Sequence, residues 1–142
     1  MKPALPSNEA QRLQALYQLQ ILDSIHEPAF EALNRLACLI CGVPTSALSL
    51  IDINRQWFKS RINIDVPETP REEAFCAHAI LTPHQITYVP DTHEDPRFAD
   101  HPSVLRDNGI RFYAGAPLRL NDNIAIGTLC VVDSVPRQLT TD

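Results

Sequence analysis

The chain has 142 residues, a formal net charge of −5 and an apolar fraction of 44%. These values are typical of one globular domain and exclude a disordered, collagen-like or fibrous protein. An acidic chain lacks the basic surface that nucleic acid requires, so we expect no nucleic-acid partner. The apolar runs are all shorter than the about 18 residues that a membrane helix needs, so we expect no membrane insertion.

The four cysteines predict a reducing compartment. Cys38, Cys41, Cys76 and Cys130 lie in apolar stretches, which argues against a disulfide framework. The first six residues also lack the apolar core of a signal peptide. We therefore expect a cytoplasmic location.

Two amphipathic helices are predicted at the start of the chain. Asn8 and Gln11 have the spacing of a capping box, and the apolar period that follows predicts a helix over 7–23. A second helix is expected to begin at Pro28 and to end at Gly42. Its apolar stripe, expected to face the core, consists of Phe30, Leu33, Ala37, Ile40 and Cys41.

Short strands follow the helices. The segments 47–51 and 56–62 predict an antiparallel hairpin. Strict alternation places Trp57, Lys59 and Arg61 on one face of the second strand, with Phe58, Ser60 and Ile62 on the other. The segment 63–71 carries two prolines and is expected to be a loop.

The second half of the chain alternates between short elements and turns. We expect a helix over 72–81, a strand over 86–89 and a loop with helical turns over 90–108. Strands over 111–120 and 124–132 flank Asn121-Asp122-Asn123, a strong hairpin signal, and Pro117 predicts a bulged or exposed point in the first of them. This order predicts an α+β fold with one antiparallel sheet and helices on a face.

The sequence predicts a functional role for only one of the four cysteines. Cys38 and Cys41 fall late in a helix without a second ligand pair, and Cys130 lies in an apolar strand, so all three are expected to pack in the core. Cys76 lies early in a short helix, where N-terminal amides stabilise a thiolate. His78 is two residues away, so on a helix its side chain points in a different direction from that of Cys76. The two residues therefore do not form a nucleophile–base pair, but a ligand packed against this helix could contact either one.

Ordered blocks spanning Asn8 to Arg137 resemble a bacterial GAF domain, of the subgroup found at the N-terminus of sensor histidine kinases and diguanylate cyclases. The blocks are Asn8–Leu13, Leu19–Asp23, Phe30–Leu33, Ser49–Asp52, Arg55–Ser60, Glu68–Arg71, Phe75–Ile80, Asp95–Phe98, Ile110–Leu118 and Ile126–Asp133. The resemblance implies a sheet of five to six antiparallel strands, with helices on one face and loops over a pocket on the other. It also implies one domain over 1–142, with an N-terminal helix at 7–23, a core at 24–137 and the start of a truncated linker or helix at 138–142.

The function that this resemblance implies is sensory or regulatory rather than catalytic. Such a domain binds a small ligand or senses redox state, and it relays the signal through a homodimer of terminal helices to an output domain in cis. Ala77 separates Cys76 from His78, whereas bilin-binding relatives place the attachment cysteine directly before a histidine, so no covalent bilin is expected. The cyclic-nucleotide motif of Asn-Lys-Phe-Asp-Glu type is absent as well, so the cofactor or ligand stays unspecified.

Seven residues are candidates for the ligand pocket, and no catalytic or metal-ligating residue is assigned. The seven are Trp57, Phe75, Cys76, His78, Asp91, Phe98 and Tyr113. Two other functions stay open: a ligand-free structural dimerisation module, and an enzyme resembling free methionine sulfoxide reductase. That reductase uses several cysteines around one pocket, a set that Cys76 alone does not reproduce.

Overall fold

The computed structural model describes residues 1–121 and 123–139. Its helices are α1 (Glu9–Gln18), α2 (Pro28–Cys41), α3 (Phe75–Ala79) and α4 (Pro102–Leu105). Its strands are β1 (Thr45–Ile51), β2 (Arg55–Ile62), β3 (Glu68–Pro70), β4 (Thr87–Val89), β5 (Phe112–Asn121) and β6 (Ile124–Asp133). Single 3-10 turns at Arg71–Glu73 and Thr92–Glu94 complete the elements.

The six strands form one sheet in the order β3-β2-β1-β6-β5-β4, and every neighbouring pair is antiparallel. The predicted α+β fold with a central antiparallel sheet is therefore confirmed. The two halves of the sheet are joined by the pairing of β1 with β6, two strands that are far apart in the chain. That pairing places the middle of β6 at the centre of the sheet.

The sheet is covered on both faces. Helices α1 and α2 pack on one face, where Leu16 of α1 joins a buried cluster with Leu48 and Leu50 of β1. The short helix α3 and the segment 90–110 cover the other face, where Ala47 and Phe58 belong to a second cluster. Alternate residues of β1 thus enter different cores, as the two-residue period of a strand requires.

A β-bulge changes the faces of β2. The register of β1 against β2 shifts between Leu48 and Ser49, and Lys59 is left without an opposite residue. Ser60 therefore lies on the same face as Trp57, where its hydroxyl donates to a main-chain carbonyl of α2. The strict alternation predicted for this strand is wrong because one extra residue reverses the direction of every side chain beyond it.

Helix α1 is shorter than the predicted 7–23 and starts differently. It ends at Gln18, and Gln20 and Asp23 adopt φ of 54° and 58°, which a right-handed helix does not accommodate. Asn8 makes no side-chain cap; its amide donates instead to the main-chain oxygen of Asn123 at 2.7 Å. The capping-box prediction is wrong, and Asn8 ties the start of α1 to the turn between β5 and β6.

Helix α2 begins at Pro28 and is terminated by Gly42 as predicted, but its inward face is only partly the predicted stripe. Leu33 and Ile40 are 44% and 69% exposed, whereas Asn34 is fully buried. The Asn34 amide is satisfied by the hydroxyls of two sheet serines and by a carbonyl one turn earlier, which is what makes a polar side chain tolerable there.

Among the described residues, no helix is both long enough and apolar enough to cross a membrane.

Two segments near the cavity described below have a secondary structure that differs from the prediction. The predicted loop at 63–71 contains β3, an edge strand that pairs with the start of β2, and an edge is the position where Pro70 is tolerated. The helix predicted at 72–81 is confirmed only over Phe75–Ala79. The C-terminal hairpin is confirmed, with Pro117 half-buried beyond the end of β4, whereas Asp122 and the C-terminal residues 140–142 lie outside the described residues.

Candidate functional site

A cavity of about 440 Å³ opens on the face of the sheet opposite α1 and α2. Its floor is formed by β1, β2 and β6, and its walls by the segment 63–70, by α3 and by residues around α4. The volume lies within the range of about 300–1,000 Å³ that small-molecule sites occupy. The lining combines apolar side chains such as Phe58 and Ile64 with polar ones such as Gln56, Thr69 and Arg106.

Aromatic rings form the wall beneath α3. Phe75, the first residue of α3, stacks on Phe98 with ring centroids 4.2 Å apart and meets the edge of Tyr113 at 5.4 Å. Phe75 and Tyr113 line the cavity, and Phe98 is fully buried behind them. Such contacts rigidify the wall, because offset and edge-to-face pairs are the arrangements that aromatic rings prefer.

The sulfur of Cys76 lies in a polar setting inside this apolar wall. It accepts a hydrogen bond from Thr128 Oγ1 at 2.9 Å and one from Tyr113 Oη at 3.2 Å. Ser49 Oγ lies 3.1 Å from the same Thr128 oxygen. Burial raises the pKa of the thiol, but the Cys130 thiol and these three hydroxyls outweigh it and bring the pKa of Cys76 to about 7. The site therefore stabilises a thiolate.

Gly115 makes the Tyr113 hydrogen bond possible. A Cβ at Gly115 would lie 2.3 Å from the Tyr113 hydroxyl oxygen, so only glycine leaves room for the phenol to lie along the strand. Burial, followed by the nearby thiols, raises the pKa of Tyr113 well above its usual value. The phenol therefore stays protonated and keeps the proton that it donates to the sulfur.

Several of the predicted site residues come together here. Phe75, Cys76 and Tyr113 line the cavity, and Phe98 supports them. His78 meets the edge of Phe98 at 5.0 Å, but its Nε2 lies 3.0 Å from the main-chain oxygen of Met1 rather than in the cavity. Burial lowers the pKa of His78, which favours the neutral ring at neutral pH.

The other two predicted residues lie elsewhere. Trp57 is on the opposite face of the sheet, packed with Leu16 of α1 and Ile126 of β6. Asp91 precedes a 3-10 turn and forms an ion pair with Arg111 at 3.0 Å. The structure brings neither side chain to the cavity.

The hydrogen-bond and thiol partners of Cys76 could not be identified from the sequence. Thr128 and Cys130 are two residues apart on β6, so the strand period already places them on one face. Nothing local indicated that this face would meet α3. Cys130 lines the same cavity and was expected only to pack in a core. Cys38 and Cys41 pack beside Val43 and Phe112 on the other side of the sheet, but they are only partly buried there rather than part of the core.

The described residues contain no group of three or more histidine, cysteine, aspartate or glutamate side chains arranged to hold a metal ion. The arrangement that they do contain is an open cavity with an aromatic wall and a hydrogen-bonded thiol, Cys76, where α3 meets the sheet. Such a cavity can bind a small organic molecule, and such a sulfur can react with an oxidant.

Comparison with known proteins places this fold among related domains. A cyclic di-GMP phosphodiesterase of Pseudomonas aeruginosa is 39% identical over 135 residues, which are 95% of this chain and 23% of that protein. The chain thus spans about a quarter of the length of the curated relative that it matches.

Solved structures show the same fold at low sequence identity. The GAF domain of an Acinetobacter phosphoenolpyruvate-protein phosphotransferase is 13% identical, with a TM-score of 0.61 over 93% of this chain and 80% of that one. Free methionine-R-sulfoxide reductase of Neisseria meningitidis, in complex with its substrate, is 14% identical, with a TM-score of 0.59 over 99% and 83%. The family model of the GAF domain matches residues 19–142. The chain therefore belongs to the GAF domain family.

Proposed function

We propose that this chain is a non-catalytic sensory or regulatory domain whose cavity binds a small organic ligand or responds to redox state. The observation that carries the proposal is the 440 Å³ cavity between the sheet and α3, with the hydrogen-bonded Cys76 sulfur in its wall. Membership of the GAF family and the match to one quarter of a phosphodiesterase support a regulatory module joined to an output domain in cis. A kinase or a diguanylate cyclase is an alternative output of the same signalling class.

The cavity lining indicates the kind of ligand. Phe58 and Phe75 offer flat apolar surface, while Gln56 and Thr69, whose side chains hydrogen-bond at 3.0 Å, supply polar groups on the β2–β3 side. A compact molecule with one apolar part and several hydrogen-bonding groups fits this distribution. We expect its apolar part to contact Phe75, so that ligand binding would alter the position of α3, the helix to which Phe75 belongs.

A thermal-shift screen with a blocked cavity tests ligand binding. Val66 lines the cavity and is half-exposed, so the larger side chain of Val66→Trp should occupy cavity volume without disturbing the packing of buried residues. Ile53→Trp is the matched control, because Ile53 is also exposed but lies outside this cavity. We expect at least one metabolite or nucleotide to raise the Tm of the wild type and of Ile53→Trp, but not of Val66→Trp. The absence of any shift across the screen contradicts ligand sensing and favours the ligand-free dimerisation module.

The exposed side of α2 supports relay through a homodimer. Leu36 and Leu39 are 52% and 79% exposed, and they extend the exposed apolar surface of Leu33 and Ile40. Contiguous apolar surface of this kind is typical of a protein contact. We propose that a second copy of the chain covers this helix, so that changes at the sheet reach the partner through α2.

Catalysis is not part of the proposal. The likeness to free methionine-R-sulfoxide reductase, at 14% identity, carries the fold only. The cavity places Cys76 and Cys130 together, while Cys38 and Cys41 lie on the opposite face of the sheet. The cysteines thus form two separated pairs, and the pair at the cavity has a chemistry of its own.

A further inference from the structure

We propose that Cys76 and Cys130 form a reversible disulfide between the wall and the floor of the cavity when the domain is exposed to a peroxide. The inference deepens the redox branch of the proposed function and rests on it for its regulatory meaning. The chemistry itself requires no bound ligand, so it can be measured separately.

The two thiols come from different elements and meet at one place. Cys76 is the second residue of α3, and Cys130 lies in the middle of β6; both are buried, both line the cavity, and both belong to one core cluster. In the sheet, Cys130 is flanked by Ala47 of β1 and Gly115 of β5. These neighbours are small, so α3 can approach the sheet directly above the Cys130 sulfur.

The two thiols are not equivalent. Hydrogen bonds from Thr128 and Tyr113 end on the Cys76 sulfur, and hydroxyl donors stabilise the charged form of a thiol. The contact with Cys76, together with burial, raises the pKa of Cys130 well above its usual value. Cys76 therefore provides the attacking thiolate, and Cys130 remains a neutral thiol beside it until Cys76 has been oxidised.

The reaction balances with a peroxide as the oxidant. The Cys76 thiolate attacks one peroxide oxygen, a sulfur–oxygen bond forms, the oxygen–oxygen bond breaks, and the departing oxygen leaves as water after taking up a proton. Cys130 then attacks the resulting sulfenic acid; a sulfur–sulfur bond forms, the sulfur–oxygen bond breaks, and the hydroxide combines with the Cys130 proton as a second water. Overall, two thiols are oxidised to one disulfide and one peroxide is reduced to two waters.

The disulfide would change the cavity. It would tie α3 covalently to the central strand pair β1–β6, and it would remove the negative sulfur that orients Tyr113 and Thr128. Phe75, the part of the aromatic wall that belongs to α3, would then be held at a new distance from the sheet. A dithiol reductant would reverse the change, since disulfide exchange restores both thiols.

The other two cysteines provide an internal control. Cys38 and Cys41 are one helical turn apart on α2, on the opposite face of the sheet and away from the cavity. Burial raises the pKa of Cys38, which lowers its thiolate fraction and its reactivity with peroxide. A non-specific oxidation would modify these half-buried thiols at least as fast as the buried pair.

The test uses the reduced 142-residue chain with hydrogen peroxide, followed by alkylation under denaturing conditions and peptide mapping by mass spectrometry. Before alkylation, we expect the intact protein to be two hydrogen atoms lighter. After alkylation and digestion, we expect a peptide pair that is linked through residues 76 and 130 and that dithiothreitol separates. Cys130→Ser should stop the reaction at a dimedone-reactive Cys76 without a cross-link. A double Cys38→Ser, Cys41→Ser variant should cross-link like the wild type. Full alkylation of Cys76 and Cys130 after peroxide, or a cross-link only between Cys38 and Cys41, overturns the proposal.

A second variant tests the activation of Cys76. Thr128→Val keeps the shape of the side chain and removes one hydroxyl donor, so we expect slower cross-linking by roughly threefold to tenfold. An unchanged rate overturns the role assigned to this donor. Cross-linking without any ligand-induced Tm shift would contradict ligand sensing alone, whereas ligand binding without cross-linking would contradict only the disulfide.

Discussion

The hydroxyl of Tyr113 donates a hydrogen bond of 3.2 Å to the sulfur of Cys76. This contact joins the strand β5 to the helix α3 directly, and it is one reason why the pKa of a buried thiol is lowered. It also makes the sulfur chemistry depend on the packing of the sheet.

Tyr113→Phe should raise the pKa of Cys76. The substitution removes a donor that stabilises the thiolate, so we expect an upward shift of about one unit and a loss of stability of about 1 kcal/mol. The measurement is the pH dependence of Cys76 alkylation, resolved by peptide. Tyr88→Phe is the control, since the Tyr88 hydroxyl accepts from the Leu139 main-chain nitrogen and is away from the cavity. Equal pKa values in the wild type and Tyr113→Phe would contradict the role of the phenol.

Gly115→Ala should destabilise the fold, and Gly127→Ala should do so more strongly. The added Cβ meets the Tyr113 hydroxyl at 2.3 Å in the first case, but the main-chain oxygen of Ser49 at 1.8 Å in the second. A buried side chain can shift a little, whereas the backbone of a central strand cannot. We expect about 1–3 kcal/mol for Gly115→Ala from overpacking, and a larger loss for Gly127→Ala. Urea unfolding measures both, and the reverse order would show that the phenol is the more rigid neighbour.

Glu9→Gln should reduce the loss of stability in acid. Burial raises the pKa of Glu9, but Arg71 and Arg12 outweigh it and lower the pKa from 4.5 to about 2. A lowered folded-state pKa contributes stability above the unfolded value of 4.5, and this contribution disappears as the pH falls towards 2. The shift alone corresponds to about 3 kcal/mol, and partial solvent contact reduces this to roughly 2 kcal/mol.

Urea unfolding at about pH 3 and pH 6 measures this contribution. We expect the wild type to lose more stability than Glu9→Gln between the two values. Glu72→Gln is the control, because Glu72 is exposed and pairs with Lys2 at the surface. If the wild type and Glu9→Gln lose the same amount, then the Arg12–Glu9–Arg71 contacts do not depend on the charge of Glu9.

Leu39→Glu should weaken self-association without unfolding the chain. Leu39 is 79% exposed on α2, so a charge there costs nothing in the monomer but is buried in the proposed dimer. We expect the dimerisation constant to weaken by roughly tenfold or more, with an unchanged Tm at low concentration. Sedimentation velocity measures the association. Ile86→Glu is the control, since Ile86 is exposed before β4 at the far edge of the sheet. A wild-type chain that stays monomeric contradicts the dimer.

The element order and the sheet type could be predicted because they depend on local signals. Pro28 and Gly42 bound α2 as their backbone preferences require, and the C-terminal hairpin follows from a turn that separates two apolar strands. The helical position of Cys76 was also a local inference. The same reasoning placed Trp57 among the site residues, because nothing in its neighbourhood showed which sheet face it would occupy.

By itself, the sequence determined the α+β class, the antiparallel hairpins and a thiol at the start of a short helix, since each depends on residues that are close along the chain. Only the tertiary structure decided that Thr128 and Cys130 of β6 would lie against Cys76 of α3. It also decided that the bulge at Lys59 would turn Ser60 towards α2. These outcomes depend on long-range strand pairing and on the docking of a helix over small side chains, which burial of the whole core stabilises and which local periodicity does not encode.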